Sequence, residues 1–219
     1  FLICPENIGS AAFLHKNKKN IKKKIKAGFI LNFLANGKSF TYKRSRLGNS
    51  LPDKAVINVL NNLGNKFSIN DFSPEGSDER QFCSPGFNLP VGVISRSDYS
   101  NFKEYHTSLD NLQKFNLDIF YESVNFIIKV IETIELNAIP KSTVQYGTHQ
   151  FSRRKSSLYD TIFYKRKKDK ITKILLEILN LSEGKLDLLD IANKKKFSVF
   201  SNKFLIEKMI SEKLIKIKL

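Results

Sequence analysis

What this 219-residue chain has little of narrows its possibilities early. No stretch approaches the roughly 20 consecutive apolar residues a membrane-spanning helix needs. The best apolar run, Phe126 to Ile134, is broken by Lys129 and Glu132. Cysteine is scarce, and Cys4 and Cys83 make no disulfide framework. Two such thiols are expected to be buried and free in a reducing compartment, with a thiol ligand at a site as the alternative, and the cytoplasm is the expected location. The opening Phe1-Leu2-Ile3-Cys4-Pro5 has no basic flank and is too short an apolar stretch for a signal peptide. It reads as a strand running into a loop, and the chain as a fragment whose upstream half is missing. Acidic residues are the other shortage: 21 Asp and Glu face 37 Lys and Arg, for a net charge of +16. Such a surplus attracts phosphate backbones or anionic surfaces. An AT-rich coding sequence would also enrich Lys, Asn, Ile and Phe together, so charge alone does not assign nucleic-acid binding. The densest basic run, Lys16 to Lys26, has no interleaved aromatic residue of the kind single-strand grooves use, and reads as a solvated loop or edge.

What is present is enough for a folded core, with 41% hydrophobic residues. A short apolar helix is expected over Ala11 to His15, following Pro5-Glu6-Asn7-Ile8-Gly9-Ser10. Gly28 to Leu34 reads as a continuous buried strand and Lys38 to Arg46 as a strand alternating through Phe40 and Tyr42. Ser50-Leu51-Pro52-Asp53 opens a helix whose apolar face is Val56, Val59, Leu60 and Leu63, with Gly64 as its cap. Phe67 to Asp71 reads as a short strand. Residues 74–112 are dense in Gly, Pro and Ser and read as loops around one buried strand, Val91 to Ile94. From Leu117 to Leu136, residues Phe120, Val124, Ile127, Ile128, Ile131 and Ile134 recur at helical spacing, and Pro140 is the expected stop.

The loop stretch concentrates Asp78, Glu79, Arg80, His106 and Asp110. In Tyr105-His106-Thr107 followed by Asp110, a loop imidazole has a carboxylate nearby, and a neutral imidazole is the commonest metal ligand. A histidine satisfied by its neighbours is the plain alternative. Glu6, after the first strand, is placed either to enter a site at the carboxyl edge of a sheet or to serve as a helix N-terminal carboxylate. Arg80 is read either as paired with Asp78 or Glu79, or as a bidentate partner for a substrate carboxylate.

Ser77-Asp78-Glu79-Arg80-Gln81-Phe82, Gly86-Phe87-Asn88-Leu89-Pro90 and Tyr105-His106-Thr107-Ser108-Leu109-Asp110 together resemble the co-catalytic zinc aminopeptidases, a family that includes the glutaminyl cyclases. The wording is closer still to a bacterial group of uncharacterised proteins in which an aminopeptidase-like domain precedes a winged helix. The resemblance implies an α/β fold: the C-terminal half of a zinc-aminopeptidase-like sheet-and-helix domain, then a small winged-helix domain. It implies a zinc-dependent hydrolase of peptide or amide bonds, with one or two zinc ions. Glu6 and His106 would be metal ligands, Asp78 and Glu79 catalytic, and Arg80 substrate-binding. The family carries two further ligands upstream of its glutamates, so the fragment alone is expected to be inactive. Two departures stand out: Glu6 is single where the family pairs glutamates, and Leu34-Ala35-Asn36-Gly37 has no carboxylate where the family has a strand-end aspartate ligand. The alternative is a non-catalytic binding or regulatory protein that keeps the fold and acts through its winged helix.

The expected division is 1–140 for the aminopeptidase-like domain, 141–157 for a linker and 158–219 for the winged helix. His149, in that linker, is expected to be exposed. Lys170 to Leu181 reads as a helix with Ile171, Ile174, Leu175, Ile178 and Leu179 on one face, Leu186 to Asn193 as a second, and Ser201 as the cap of a third running to Leu214. Ile215 to Lys218 follows as a strand. Were the third helix to enter a DNA groove, Asn202 would be its base reader and Lys203, Lys208 and Lys213 its phosphate contacts. Protein docking is the competing use, since Glu207 and Glu212 would face the same groove.

Overall fold

The computed structural model describes residues 1–37, 39–97, 102–151, 158 and 170–218. They divide into two units, Phe1–Ile131 and Glu132–Leu219. The first is built on a mixed sheet of β1 (Gly28–Leu31), β2 (Phe40–Lys43), β3 (Phe67–Asn70) and β4 (Val91–Ser95), in the order β1-β4-β2-β3. β4 runs parallel to β1 and antiparallel to β2, and β3 runs parallel to β2. Being flanked on both edges and covered on both faces, β4 is buried at every position, which accounts for its unbroken Val-Gly-Val-Ile run. On β2 only Phe40 and Tyr42 are buried, as the period of two demands.

Among the described residues five α-helices accompany this sheet: α1 (Ile8–Asn17), α2 (Ile21–Lys24), α3 (Leu51–Leu60), α4 (Glu79–Phe82) and α5 (Leu117–Glu135). α3 begins with a capping box between Ser50 and Asp53 and carries Pro52 in its first turn, where the missing N–H costs nothing. Ala55, Val56, Val59 and Leu60 are its buried face. Asp53 is 0% exposed and accepts from Tyr42 Oη at 2.8 Å, Ser45 N at 2.8 Å, Ser45 Oγ at 2.5 Å, Ser50 N at 2.8 Å and Ser50 Oγ at 2.6 Å. Burial, reinforced by the Asp53 charge, pushes the Tyr42 hydroxyl well above the ordinary phenol range. Tyr42 reaches Asp53 by lying across Gly92 of β4, where a Cβ would come within 2.3 Å of its hydroxyl oxygen.

The N-terminal part of α5 is fixed by a second buried group. Arg96, just after β4, places Nη1 and Nη2 on Glu122 Oε2 at 2.9 and 2.8 Å. Its guanidinium lies 4.3 Å from the centroid of the Phe40 ring, which in turn stacks on Phe126 at 4.2 Å. Ser123 Oγ donates to Leu34 O at 2.7 Å, tying α5 to the loop after β1. A further cluster of Leu14, Ile21, Phe82, Cys83, Leu89 and Val91 packs α1, α2 and α4 together.

The second unit contains β5 (Ile139–Ser142), α6 (Lys170–Leu181), α7 (Leu188–Lys195), α8 (Lys203–Ser211) and β6 (Ile215–Lys218). β5 and β6 pair antiparallel. α7 opens on a capping box between Asp187 and Asp190 and closes on Lys196 in the left-handed conformation, φ 57°. Ile174, Leu175, Ile178, Leu188, Leu189, Ile191, Leu205, Ile206 and Met209 make the core. Three helices with a two-stranded ribbon are the parts of a winged helix.

Several local expectations are corrected. Residues 21–24 and 79–82 form helical turns where loops were expected. Both pack an apolar residue, Ile21 or Phe82, into the same core. Pro140 does not stop α5, which ends at Glu135; it lies in β5, paired with Ile217 of β6. Lys141 and Ser142 also belong to β5, and His149, expected to be exposed, is 9% exposed with Nε2 3.0 Å from Ser142 Oγ. Ile171 is 43% exposed instead of sharing the buried face of α6. Residues 152–157 of the expected linker lie outside the described residues. No helix among the described residues is long and apolar enough to cross a membrane.

Candidate functional site

In the first unit a cleft of about 680 Å³ opens between the chain's first loop, the loop after β1 and residues 105–115. Glu6, Asp78, His106 and Asp110 all line it, with Cys4, Asn36 and Lys114. Residues 100 positions apart in sequence, Glu6 and His106, thus share one cavity.

Glu6 is exposed, and its Oε1 accepts from Ser77 Oγ at 2.6 Å. No other hydrogen bond to this carboxylate occurs among the described residues. The residue after it is strained. Asn7 has φ 59° and ψ −56°, and Ile8 N donates to Glu6 O at 2.7 Å. That is a γ-turn of the rare positive-φ form, with Asn7 at its centre. Asp78 holds the turn from outside: its Oδ1 accepts from Asn7 N at 2.7 Å and from Ser10 Oγ at 2.6 Å. Arg80 Nε and Nη2 donate to Asn7 Oδ1 at 3.2 and 3.0 Å. Glu79 is 1% exposed, forms an ion pair with Lys43 at 2.9 Å and accepts from Ser77 N at 3.1 Å. Gly76, at φ 124°, leaves room for this carboxylate; a Cβ there would fall 2.3 Å from Glu79 Oε1.

On the other wall, His106 is exposed in the left-handed conformation, φ 60°, with its ring stacked on Tyr105 at 3.8 Å. Phe33, also left-handed at φ 49°, meets Phe102 and Tyr105 edge-on at 5.5 and 5.6 Å. Thr107 of the Tyr-His-Thr motif is a turn residue: its hydroxyl donates to Glu104 O at 2.7 Å and accepts from Leu109 N at 3.2 Å. Asp110 is exposed, and its N–H donates to Thr107 O at 3.2 Å. Lys114 lies 2.7 Å from Glu104 Oε1, and its hydrogen bond holds the Glu104 carboxyl below the usual range. In the core cluster with Phe82 and Leu89, burial pushes up the pKa of the Cys83 thiol, which donates to Val91 O at 3.3 Å.

As donors for zinc these residues fit in part. Glu6 has an uncommitted oxygen and His106 an exposed ring on the same cavity. No group of three or more His, Cys, Asp or Glu able to hold a metal occurs among the described residues. A carboxylate already accepting from Asn7 and Ser10, as Asp78 is, serves first as an anchor. Ser77, Asn7 and Ser10 were not singled out in the sequence. The pairing of residues 6–10 with 77–80 bridges about seventy positions and leaves no periodic signal.

In the second unit the residues expected to face DNA are partly engaged. Asn202 Nδ2 donates to Ser198 O at 2.7 Å and Lys203 Nζ lies 3.3 Å from Glu132. Lys208 Nζ sits 5.4 Å from the ring centroid of Phe204, a residue 74% exposed.

These features define a mixed α/β domain followed by a winged helix. The chain belongs to the family described as a domain of unknown function, DUF4910, whose model matches residues 1–137, and a winged helix-turn-helix model matches residues 138–217. It is 38% identical over 222 residues to a Clostridium acetobutylicum protein provisionally named a polysaccharide biosynthesis protein with an aminopeptidase-like domain, covering 99% of this chain and 49% of that protein. A crystal structure from Clostridium acetobutylicum, provisionally named a peptidase, superposes with a TM-score of 0.85 at 34% identity, covering 98% of this chain and 47% of that one. The chain spans about half the length of these relatives.

Proposed function

We propose that the whole protein is a zinc-dependent, aminopeptidase-like hydrolase of peptide or amide bonds, and that this chain supplies one side of its site. The observation that carries the reading is the sharing of one cleft by Glu6 and His106. Both are proposed ligands, with the remaining ones outside the described residues. When bound, the metal supplies the Lewis acid for amide hydrolysis. The chain's own residues then bind and orient: Phe33, Tyr105 and Phe115 offer an apolar wall, and Asn32, Asn36 and Asn111 offer amide groups to a peptide backbone. Asp78 and Arg80 support the Glu6 loop from beside the site. The free Cys4 and Cys83 suit a reducing, cytoplasmic setting.

The test is metal analysis of the full-length protein together with hydrolysis of aminoacyl amides. Bound zinc and turnover are expected, and Glu6→Gln and His106→Ala should each lower zinc content and kcat/KM by about 100-fold or more. Zinc-free, inactive full-length protein overturns the reading.

A second reading is favoured by the amide of Asn36 on the cleft wall, in the stretch where the resemblance implies a carboxylate ligand. Here the fold is a binding platform and the winged helix engages a partner, with duplex DNA as the testable candidate. Fluorescence anisotropy would then report binding to duplex that weakens with salt and with Lys208→Ala.

A further inference from the structure

We infer that Ser77, Asp78, Glu79 and Arg80 form a clamp whose task is to present Glu6 to the cleft, and that they act as positioning residues without touching substrate. The inference rests on the reading that Glu6 works in that cleft.

Every one of the four side chains is committed, directly or at one remove, to Glu6 or the residue beside it. Ser77 Oγ donates to the Glu6 carboxylate itself, which leaves one oxygen directed and the other free. Asp78 takes the Asn7 N–H and the Ser10 hydroxyl, fixing both ends of the turn into α1. Arg80 grips the Asn7 side chain with two nitrogens. Glu79 sits underneath, where the Lys43 ion pair and the Ser77 N–H hold the backbone from which Ser77 reaches out. A non-glycine residue at positive φ with a strained γ-turn persists only when its surroundings over-determine it. Asn7 is held by its N–H and by its side chain, with Glu6 and Ile8 closing the turn between them. Such over-determination is unnecessary for an ordinary helix start, where a Ser or Asp cap suffices. It fits a carboxylate that must be placed to within a fraction of an ångström. Ser77, Asp78 and Arg80 each reach a different atom of the same short loop, while Glu79 holds Ser77 from behind.

The test uses the full-length protein. Ser77→Ala should lower kcat and zinc affinity about 10–100-fold with KM little changed, as the loss of an outer partner of a ligand does. Ser77→Thr should restore most of both, and Ser77→Ala should add little in a Glu6→Gln background. Ser77→Ala with kcat and zinc affinity intact, while Glu6→Gln abolishes both, overturns the clamp. If Glu6→Gln itself changes neither, the hydrolase reading falls, and amide hydrogen exchange then decides the clamp separately. A rise of about 10-fold or more in exchange at the Asn7 N–H in Asp78→Ala supports it. Unchanged exchange overturns it.

Discussion

Two aspartates in the first unit do the same local chemistry in different surroundings. Asp53 and Asp78 each accept from a backbone N–H and a serine hydroxyl, and each pins a loop to the start of a helix. Asp53 is wholly buried and all its donors belong to the scaffold: β2, the loop after it and the N-cap of α3. Asp78 is partly exposed on the rim of a cleft, and the loop it holds presents a second carboxylate with an uncommitted oxygen. The shared pair of donors therefore serves two purposes according to where the restrained atoms point. Five hydrogen bonds to Asp53 in the core secure the fold, while two to Asp78 Oδ1 at a rim secure the pose of a neighbour.

This contrast can be pressed hardest at Asp53. Replacing it with Ala leaves buried donors on Tyr42, Ser45 and Ser50 unmatched, and should cost about 3–5 kcal/mol, read by urea denaturation. The corresponding change at Asp78, Asp78→Ala, should cost only about 1–2 kcal/mol, because solvent reaches the released groups. Its effect on turnover of the whole protein should be proportionally larger than that of any equally destabilising core substitution. If both variants lose stability and activity in the same ratio, the distinction between the two aspartates disappears.

Alkaline unfolding supplies a smaller effect. Folded Cys83 holds its proton more tightly than a thiol at its usual 9.0, so folded protein binds more protons than unfolded protein above that pH. Stability is therefore full below about pH 9 and falls as pH rises through the thiol range, with Tyr42 adding a second decline above 10.0. Cys83→Ala should remove the first part of that decline in thermal melts across pH 8–10. Least of all should change with Lys203→Ala, since its exposed pair with Glu132 is worth less than about 1 kcal/mol. A larger loss of Tm there would show the pair to be structural.

How much of this was legible in the residues divides along the same line. Short-range rules found the scaffold: the apolar Val91–Ile94 run, the Ser50-Leu51-Pro52-Asp53 helix start, the alternation through Phe40 and Tyr42, and the extent of α5, though its buried apolar residues are Phe126 and Val130 while the expected Phe120, Ile128 and Ile131 are exposed. They also placed the three helices of the second unit, though Pro140 misled because a proline tolerated at an edge strand looks the same as one that ends a helix. The strand order β1-β4-β2-β3 was out of reach, since it depends on which apolar surfaces meet and not on any one segment's pattern. For the candidate site, Glu6 and His106 were singled out from motif resemblance, and the structure brings them to one cavity. The reach of Ser77 to Glu6 and of Arg80 to Asn7 was invisible, because neither pairing leaves a periodicity to detect.

The hydrogen at Cα of Gly92 has a reach of its own. By leaving a gap in the middle strand, it lets a phenol from β2 pass over the sheet and take hold of α3. A methyl group added there would touch no substrate and no charge, yet it would prise a helix from its seat. In a survey of tolerated changes, this chemically mute position should rank among the least forgiving in the chain.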